Sequence, residues 1–268
     1  MVGELERSRG AVTQGRRSAC SPLTRRERPQ DCCFTPVDEP RRPDPAIYSQ
    51  LEILQRGLPT PLSWNSPDIN SNSQPGRLSP AGADIVVRNL STVVSAANVR
   101  VDVSLHRFGI GFPRELIGGN LLSIGPGAQT VFTAPYPQPV MAGEQRVGVE
   151  VRITHPTDAD IGNNVGFQAI DWLATSDVGK SFTVDFPVRN PSPGAQDIHI
   201  QAGPIDAGLT VTPPPSGPTF GPFEERVLTA QIVVAPGVTT FQRSATFMAF
   251  DAAGELLGGV AFVIDVDS

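Results

Sequence analysis

The stretch Arg146-Val-Gly-Val-Glu-Val-Arg-Ile-Thr154 alternates apolar and polar residues over its whole length. Successive side chains of a β-strand point to opposite faces, so the three valines and the isoleucine share one face. Val149 and Val151 are expected to point into a core, whereas Glu150 and Arg152 are expected to face water. This alternation predicts a strand of a β-sandwich, buried on one side and solvated on the other.

Strands of the same kind are predicted along most of the chain. They lie at 84–89, 99–105, 129–133, 146–154 and 165–172, and then at 181–188, 197–201, 209–212, 226–234, 244–250 and 260–266. The last two form a hairpin around Asp251-Ala-Ala-Gly254. The 27 prolines and 26 glycines favour short strands joined by turns over long helices. The predicted fold is all-β: two tandem immunoglobulin-like antiparallel β-sandwiches behind a disordered N-terminal arm.

Composition divides the chain into four segments. Residues 1–45 hold nine arginines, seven acidic residues and no apolar periodicity, which predicts a disordered arginine-rich arm. Residues 46–61 are expected to be a short helix or docking segment, because Ile47, Leu51 and Leu54 recur at helical spacing before Gly57. The two predicted sandwiches occupy residues 62–173 and 179–268.

A faint internal repeat supports two modules of similar size. Val87-Arg88-Asn89-Leu90-Ser91 matches Val188-Arg189-Asn190-Pro191-Ser192, at a separation that fits one immunoglobulin-like domain. Each copy ends an early strand of its module and enters a turn. The boundary between the modules is therefore expected near residues 173–179.

Charge, cysteine positions and hydropathy exclude several kinds of protein. Beyond residue 45 the chain has 12 basic and 20 acidic residues, a balance of −8, which argues against a nucleic-acid-binding surface. Cys20, Cys32 and Cys33 all lie in the arm, so a disulfide between the two sheets of a sandwich is excluded. No stretch has the roughly 18 consecutive apolar residues of a transmembrane helix, and no export signal is recognisable.

The first module carries several short motifs in a recognisable order. They are Pro67-Asp68-Ile69, Asn89 at the end of the next strand, Ala97-Asn98-Val99 with Val101 and Val103, Ile124-Gly125-Pro126-Gly127, the trio Val147, Val149 and Val151, and Asp160-Ile-Gly-Asn-Asn164. With these motifs, residues 62–171 resemble the CARDB family, the cell-adhesion-related domain found in bacteria. The resemblance implies a seven-stranded sandwich used in adhesion, spacing or display, with no catalytic residues. The second module lacks the Pro-Asp-Ile opening and the Asn-Asn close.

Four patterns in the chain have a possible chemical role beside an ordinary structural one. Ala174 to Ser181 fits a relaxed phosphate-loop pattern, but its first position is alanine and a strand is predicted to follow it. Asp158, Asp160, Asn163 and Asn164 are oxygen ligands suited to calcium, and they are also typical residues of a tight turn, which is the favoured interpretation. The other two patterns are the isolated histidines His106, His155 and His199, and the sequon Asn89-Leu-Ser91.

The sequence therefore predicts a non-enzymatic protein-interaction, adhesion or spacer module of bacterial type. No catalytic, cofactor-binding or metal-binding residue is assigned, and the expected partner is another protein. The loops at 108–119 and 213–222 are expected to carry contacts. The alternative is a carbohydrate-binding or enzyme-accessory β-sandwich, which would need exposed aromatic platforms; Trp64 and Trp172 are expected to pack in the core or at strand ends instead. The absence of an export signal favours a cytoplasmic location, whereas the resemblance implies the cell surface or secretion.

Overall fold

Strands dominate the computed structural model, which describes residues 41–57, 64–71, 82–137, 146–175, 179–215, 217, 219–236 and 242–266. The predicted all-β class is confirmed. Within these residues there is one α-helix, α1 (Gln50–Gln55), and one 3₁₀ turn (Ile161–Asn163). The strands are β1 (Pro45–Ala46), β2 (Ile69–Asn70), β3 (Ala83–Asn89), β4 (Ala96–Arg107), β5 (Glu115–Ile124), β6 (Gln129–Ala134), β7 (Val147–Thr154), β8 (Val165–Thr175), β9 (Ser181–Arg189), β10 (Gln196–Asp197), β11 (His199–Ile205), β12 (Leu209–Thr212), β13 (Thr219–Phe220), β14 (Glu225–Val234), β15 (Gln242–Phe250) and β16 (Leu256–Val266).

The strands form one large sheet and three smaller ones. The large sheet has seven strands in the order β11-β15-β16-β8-β7-β4-β5. A second sheet has the order β1-β3-β2, with β6 also paired to β3, and a third has the order β12-β14-β9. The short strands β10 and β13 form a pair of their own. The hairpin predicted around Asp251 and Gly254 is present as β15 and β16.

Two hydrophobic cores lie on opposite faces of the seven-stranded sheet. On its first face, Val149 and Val151 of β7 are fully buried and pack with Ile85 and Val87 of the sheet that contains β3. Cross-strand partners share a face, so the register Glu150–Phe167 between β7 and β8 places Glu150 on the opposite, second face. The parallel register between β8 and β16 places Phe262 on that second face as well.

The core on the second face is built around three phenylalanines. Phe186 of β9 stacks on Phe247 of β15 with ring centroids 5.1 Å apart, and Phe262 meets the Phe247 ring edge-on at 5.9 Å. All three side chains are fully buried, and Ile232 of β14 packs in the same cluster. The three-stranded sheet therefore covers the second face at one end of the large sheet, and the sheet containing β3 covers the first face at the other end.

Strand β8 belongs to both ends of the large sheet. Its residues 165–169 pair antiparallel with β7, and its residues 170–175 pair parallel with β16. The main chain thus continues from one core to the other inside a hydrogen-bonded strand. The division into two modules near residues 173–179 stays a prediction, but the two halves are joined by a shared sheet and not by a free linker.

Glu150 does not face water as the alternation predicted. Only 4% of the residue is exposed, because the second face of the sheet is covered at this point. Arg114 places its Nε 2.5 Å from one carboxylate oxygen, and Arg152 places a terminal nitrogen 3.2 Å from the other. The Arg114 guanidinium also lies over Phe167, 5.5 Å from the ring centroid. An acidic residue is thus tolerated in this covered position because two arginines compensate its charge.

The segment before β2 seals an open edge of β8. Gln50, the first residue of α1, is fully buried and acts like a strand partner of Phe167. Its Nε2 donates to the Phe167 carbonyl at 2.8 Å, and the Phe167 N–H donates to its Oε1 at 3.0 Å. Upstream, Pro45 of β1 pairs with Asn89. The carbonyls of Pro43 and Asp44 accept from Ala159 N and Leu90 N, so residues 43–45, which the sequence assigned to the arm, are part of the body. The prediction for residues 1–40 lies outside the described residues.

The segment predicted as a long loop at 108–119 is mostly structured. Ile110 is fully buried and bridges to β9: its N–H donates to Pro187 O at 3.0 Å, and its carbonyl accepts from Arg189 N at 2.8 Å. Strand β5 then begins at Glu115. The first part of the predicted loop is therefore used to hold the two halves of the chain together, and its last part is a strand.

The faint sequence repeat corresponds to a repeated hydrogen-bond pattern. Asn89 and Asn190 are both buried at strand ends. The side-chain nitrogen of Asn89 donates to Val94 O and Gly125 O, and that of Asn190 donates to Gly194 O and Gly221 O. In each half the asparagine thus joins the turn after its own strand to the turn before the strand paired with it, so the short motif marks a structural corner.

Candidate interaction surface

Strand β5 is an edge of the seven-stranded sheet. It pairs with β4, and no described strand pairs with its other side. Its regular pairing runs from Gly118 to Leu122, between register shifts near each end. An edge strand has backbone N–H and C=O groups directed away from the sheet, which can pair with another extended chain.

Two leucines on β5 are unusually exposed. Leu116 is 59% and Leu121 66% exposed. Leu121 pairs with Arg100 and Leu116 with Ser104, which places both on the second face of the sheet. This is the face opposite the core beneath β4, so β5 presents apolar side chains next to an open backbone edge.

Two glycines create a groove between these leucines. A Cβ added at Gly118 would meet no atom within 4 Å, whereas one at Gly119 would lie 2.7 Å from the carbonyl oxygen of Val101. Residue 119 therefore needs glycine so that β5 can approach β4. The open groove has a volume of about 730 Å³ and is lined by Arg100, Asp102 and residues 116–121. Arg100 and Asp102 form an ion pair at 2.9 Å, so the two charges that line the groove compensate each other.

Strand β6 is a second edge strand without charged residues. It pairs with β3, and no other described strand pairs with it. Its Val131 is 59% exposed. The sequence contains no charged residue between Glu115 and Glu144, although the chain beyond residue 45 carries a net charge of −8. Edge strands are commonly protected by charged side chains or proline, and the described parts of β5 and β6 have neither after Glu115.

The three histidines lie apart. His106, near the end of β4, is half-buried, and its Nδ1 lies 2.8 Å from Arg107 O. Desolvation of the ring lowers its pKa to about 4, with the charge of Arg114 acting in the same direction. His155 contacts Ala97 O at the start of β4, about 30 Å from His106 at the usual rise per strand residue. His199 lies in the other half, on β11. Among the described residues no cluster of three or more His, Cys, Asp or Glu side chains is placed to hold a metal.

The carboxylates considered as calcium ligands accept hydrogen bonds from groups of their own turn instead. Asp158 accepts from Asn164 Nδ2 at 2.6 Å and from Asp160 N at 3.1 Å, and burial raises its pKa. Asp160 accepts from Gly162 N at 2.9 Å and forms an ion pair with Arg56. These bonds are those of an Asx turn leading into a 3₁₀ turn.

The remaining sequence motifs have structural positions. The phosphate-loop-like stretch runs from the end of β8 into strand β9, where a phosphate loop would require a helix; residues 176–178 lie outside the described part. The Asn89 side-chain nitrogen donates to three backbone carbonyls and is not free for glycosylation. In the 213–222 loop, Phe220 is fully buried. Trp64 is buried and stacks on Phe167 at 6.0 Å; the side chain of Trp172 and all three cysteines lie outside the description.

One aromatic residue stands out by its conformation. Phe223 has φ = 54°, in the left-handed region that favours glycine, and is 50% exposed. Its N–H donates to Ser192 O at 3.1 Å, and the Arg189 guanidinium lies 5.7 Å from its ring centroid. An exposed phenyl ring is therefore carried by a residue whose left-handed backbone conformation costs free energy. Such strained residues are often found at functional sites.

The sequence predictions missed both β5 and Phe223. The pair Gly118-Gly119 interrupts the apolar alternation and made the segment resemble a loop, although the absence of charge up to Glu144 was a readable signal. Phe223 gave no signal on its own, because its backbone angle depends on the turn around it.

Comparison with known proteins gives no family for the chain. No family model matches it, and no curated protein matches it. Among solved structures, it is similar to WR4, a C. elegans MSP family member (10% identity, 36% of this chain and 92% of that one, TM-score 0.26), and to the CupB6 tip adhesin from Pseudomonas aeruginosa (8% identity, 84% and 99%, TM-score 0.27). It is also similar to Escherichia coli alpha-2-macroglobulin (11% identity, 85% of this chain and 22% of that one, TM-score 0.29). The fold class rests on the strands and sheets of the chain itself. No described helix is long and apolar enough to cross a membrane.

Proposed function

We propose that this chain is a non-enzymatic protein-interaction module that binds an extended segment of its partner along the free edge of β5. The observation that carries the proposal is the juxtaposition of an open strand edge with the exposed side chains of Leu116 and Leu121. In strand addition, main-chain hydrogen bonds supply affinity and pockets beside the edge select side chains. The groove over Gly118 and Gly119 is such a pocket.

A spacer or adhesion role is part of the same proposal. Three connections between the halves support it: the shared strand β8, the bridge between Ile110 and Val188, and the ion pair of Arg107 with Glu225 at 2.7 Å. Two sandwiches joined in this way keep a more fixed relative orientation than two domains on a flexible linker, as a spacer requires. The proposal includes that residues 62–171 form a CARDB-like domain and that this domain has a bacterial adhesion role.

Site-specific photo-crosslinking tests the proposed function. A photoreactive phenylalanine analogue is placed at Leu121 or, as a matched control, at Val227, which is 61% exposed on β14 in the other half. Irradiation in an extract of the native organism is expected to give an adduct of defined mass from position 121 and none from position 227. Absence of an adduct at 121, or the same adducts from both positions, would contradict the proposal.

A second candidate function, carbohydrate binding, is favoured by Phe223. Its exposed ring lies beside Arg189, which pairs across the strands with Glu225. A phenyl ring next to a hydrogen-bond donor and an acceptor is an arrangement suited to a sugar. Binding to an array of immobilised oligosaccharides, lost in Phe223→Ala and retained in Leu121→Lys, would favour this function; no binding by the wild-type chain would dismiss it.

A further inference from the structure

We infer that the segment seated on the edge of β5 is β5 of a second copy of this chain, in a symmetric antiparallel dimer. The inference rests on the proposed function and names its partner. A two-fold axis brings the same surface of both copies together, so the surface must be complementary to itself. The edge of β5 meets this condition in charge and in shape.

The charge distribution favours self-association at this surface. Two copies that each carry a net charge of −8 beyond residue 45 repel one another when their charged surfaces meet. The stretch between Glu115 and Glu144 contains no charge, and the Arg100–Asp102 pair beside it is neutral. Contact at β5 therefore brings the two acidic bodies together without placing like charges against each other. A strongly basic partner, by contrast, would gain nothing from an uncharged edge.

The positions of the leucines and glycines are also self-complementary. An antiparallel pair centred on Gly119 places Leu121 of each copy opposite the bulged pair Leu116 and Ile117 of the other, so that the leucines lie side by side. Both leucines lie on the second face of the sheet, so the pairs form on one side of the joined sheets. The open groove lined by residues 116–121 lies between them, and the leucines of the other copy fill it. Cross-strand apolar pairs of this kind are the contacts that stabilise a sheet.

Sedimentation velocity of the purified full chain tests the inference, over concentrations from about 1 to about 100 μM. The wild-type chain is expected to shift from monomer to dimer. Leu121→Lys places two added charges at the contact and is expected to weaken dimerisation at least about tenfold. Val227→Lys, at a similarly exposed position on β14, is expected to leave dimerisation unchanged. Raising the salt concentration is expected to preserve or strengthen the dimer, because the contact is uncharged and the bodies repel.

Each other outcome overturns the inference in a distinguishable way. A chain that stays monomeric, yet forms a crosslink from position 121 to a different protein, refutes the second copy and leaves the proposed function standing. A monomer without any crosslink at 121 refutes both. A dimer that Leu121→Lys and Val227→Lys weaken equally places the contact elsewhere. Circular dichroism of Leu121→Lys, at a solvent-exposed position, verifies that any loss of association is not a loss of folding.

Discussion

Phe223 occupies in the second half of the chain the backbone position that Gly127 occupies in the first. Both have positive φ, 54° and 62°. The N–H of Gly127 donates to Ser91 O, and that of Phe223 donates to Ser192 O, two serines that each follow the buried asparagine of their half by two residues. The corner thus requires a left-handed residue, and only one of its two copies uses glycine.

The strain at this corner is open to measurement. Phe223→Gly is expected to be more stable than Phe223→Ala by about 1 kcal/mol, because a left-handed backbone costs alanine that much more than glycine. At a turn position with negative φ, the glycine variant would instead be less stable than the alanine variant. Gly127→Ala is expected to lower the free energy of unfolding by a similar amount. Urea denaturation measures all three; an alanine variant at 223 more stable than the glycine variant would contradict the assigned conformation.

Glu150 is expected to be sensitive to charge reversal, against the expectation from alternation alone. Glu150→Lys would place a third positive charge between Arg114 and Arg152 at a buried position and is expected to cost about 3 kcal/mol. Glu115→Lys, at an exposed position nearby, is expected to change stability by about 0.5 kcal/mol or less. Both values come from chemical denaturation. Equal effects of the two substitutions would mean that Glu150 is solvated.

The contrast at Glu150 shows what the sequence determines and what it does not. Alternation along β7 identifies the strand and the inward direction of Val149 and Val151, because these depend on the chain alone. It does not tell whether the other face of the sheet is wet, since that depends on Arg114 and Phe167, which come from distant segments. The same reason hides β5. Gly119 is explained only by the close approach of β4, and the edge position of β5 is explained only by the strand order of the whole sheet.

The start of the folded body can be located by truncation. A chain beginning at Ala46 loses Asp44, whose N–H donates to Asn89 Oδ1 and whose carbonyl accepts from Leu90 N. It also loses the pairing of Pro45 with Asn89. Relative to a chain beginning at Arg41, it is expected to be less stable by about 1–3 kcal/mol, because buried polar groups lose their partners. Thermal unfolding of the two truncations compares them, and equal midpoints would place the boundary after Pro45.

His106 is expected to make the protein less stable in mild acid. Its pKa in the folded chain, about 4, lies below its ordinary value of 6.5, because burial disfavours the charged ring. The unfolded chain therefore binds more protons between these pH values, so the stability is fully present above about pH 6.5 and is lost as the pH falls toward 4. His106→Gln should show a smaller fall in melting temperature between about pH 7 and pH 5. Carboxylates titrate in both proteins, so identical falls would rule out a contribution of His106.

Amide hydrogen exchange along β5 tests the central claim, strand addition at this edge, most directly. Exchange of peptides covering Glu115–Ile124 is compared at a low chain concentration and at one where association is complete, with Glu225–Val234 as an internal reference. Outward-directed amides of β5 exchange with water when the edge is free and become protected when another strand pairs with them. The predicted result is increased protection of Leu116–Ile124 and no change in β14. Unchanged exchange in β5 on association, or protection confined to other strands, would contradict the claim.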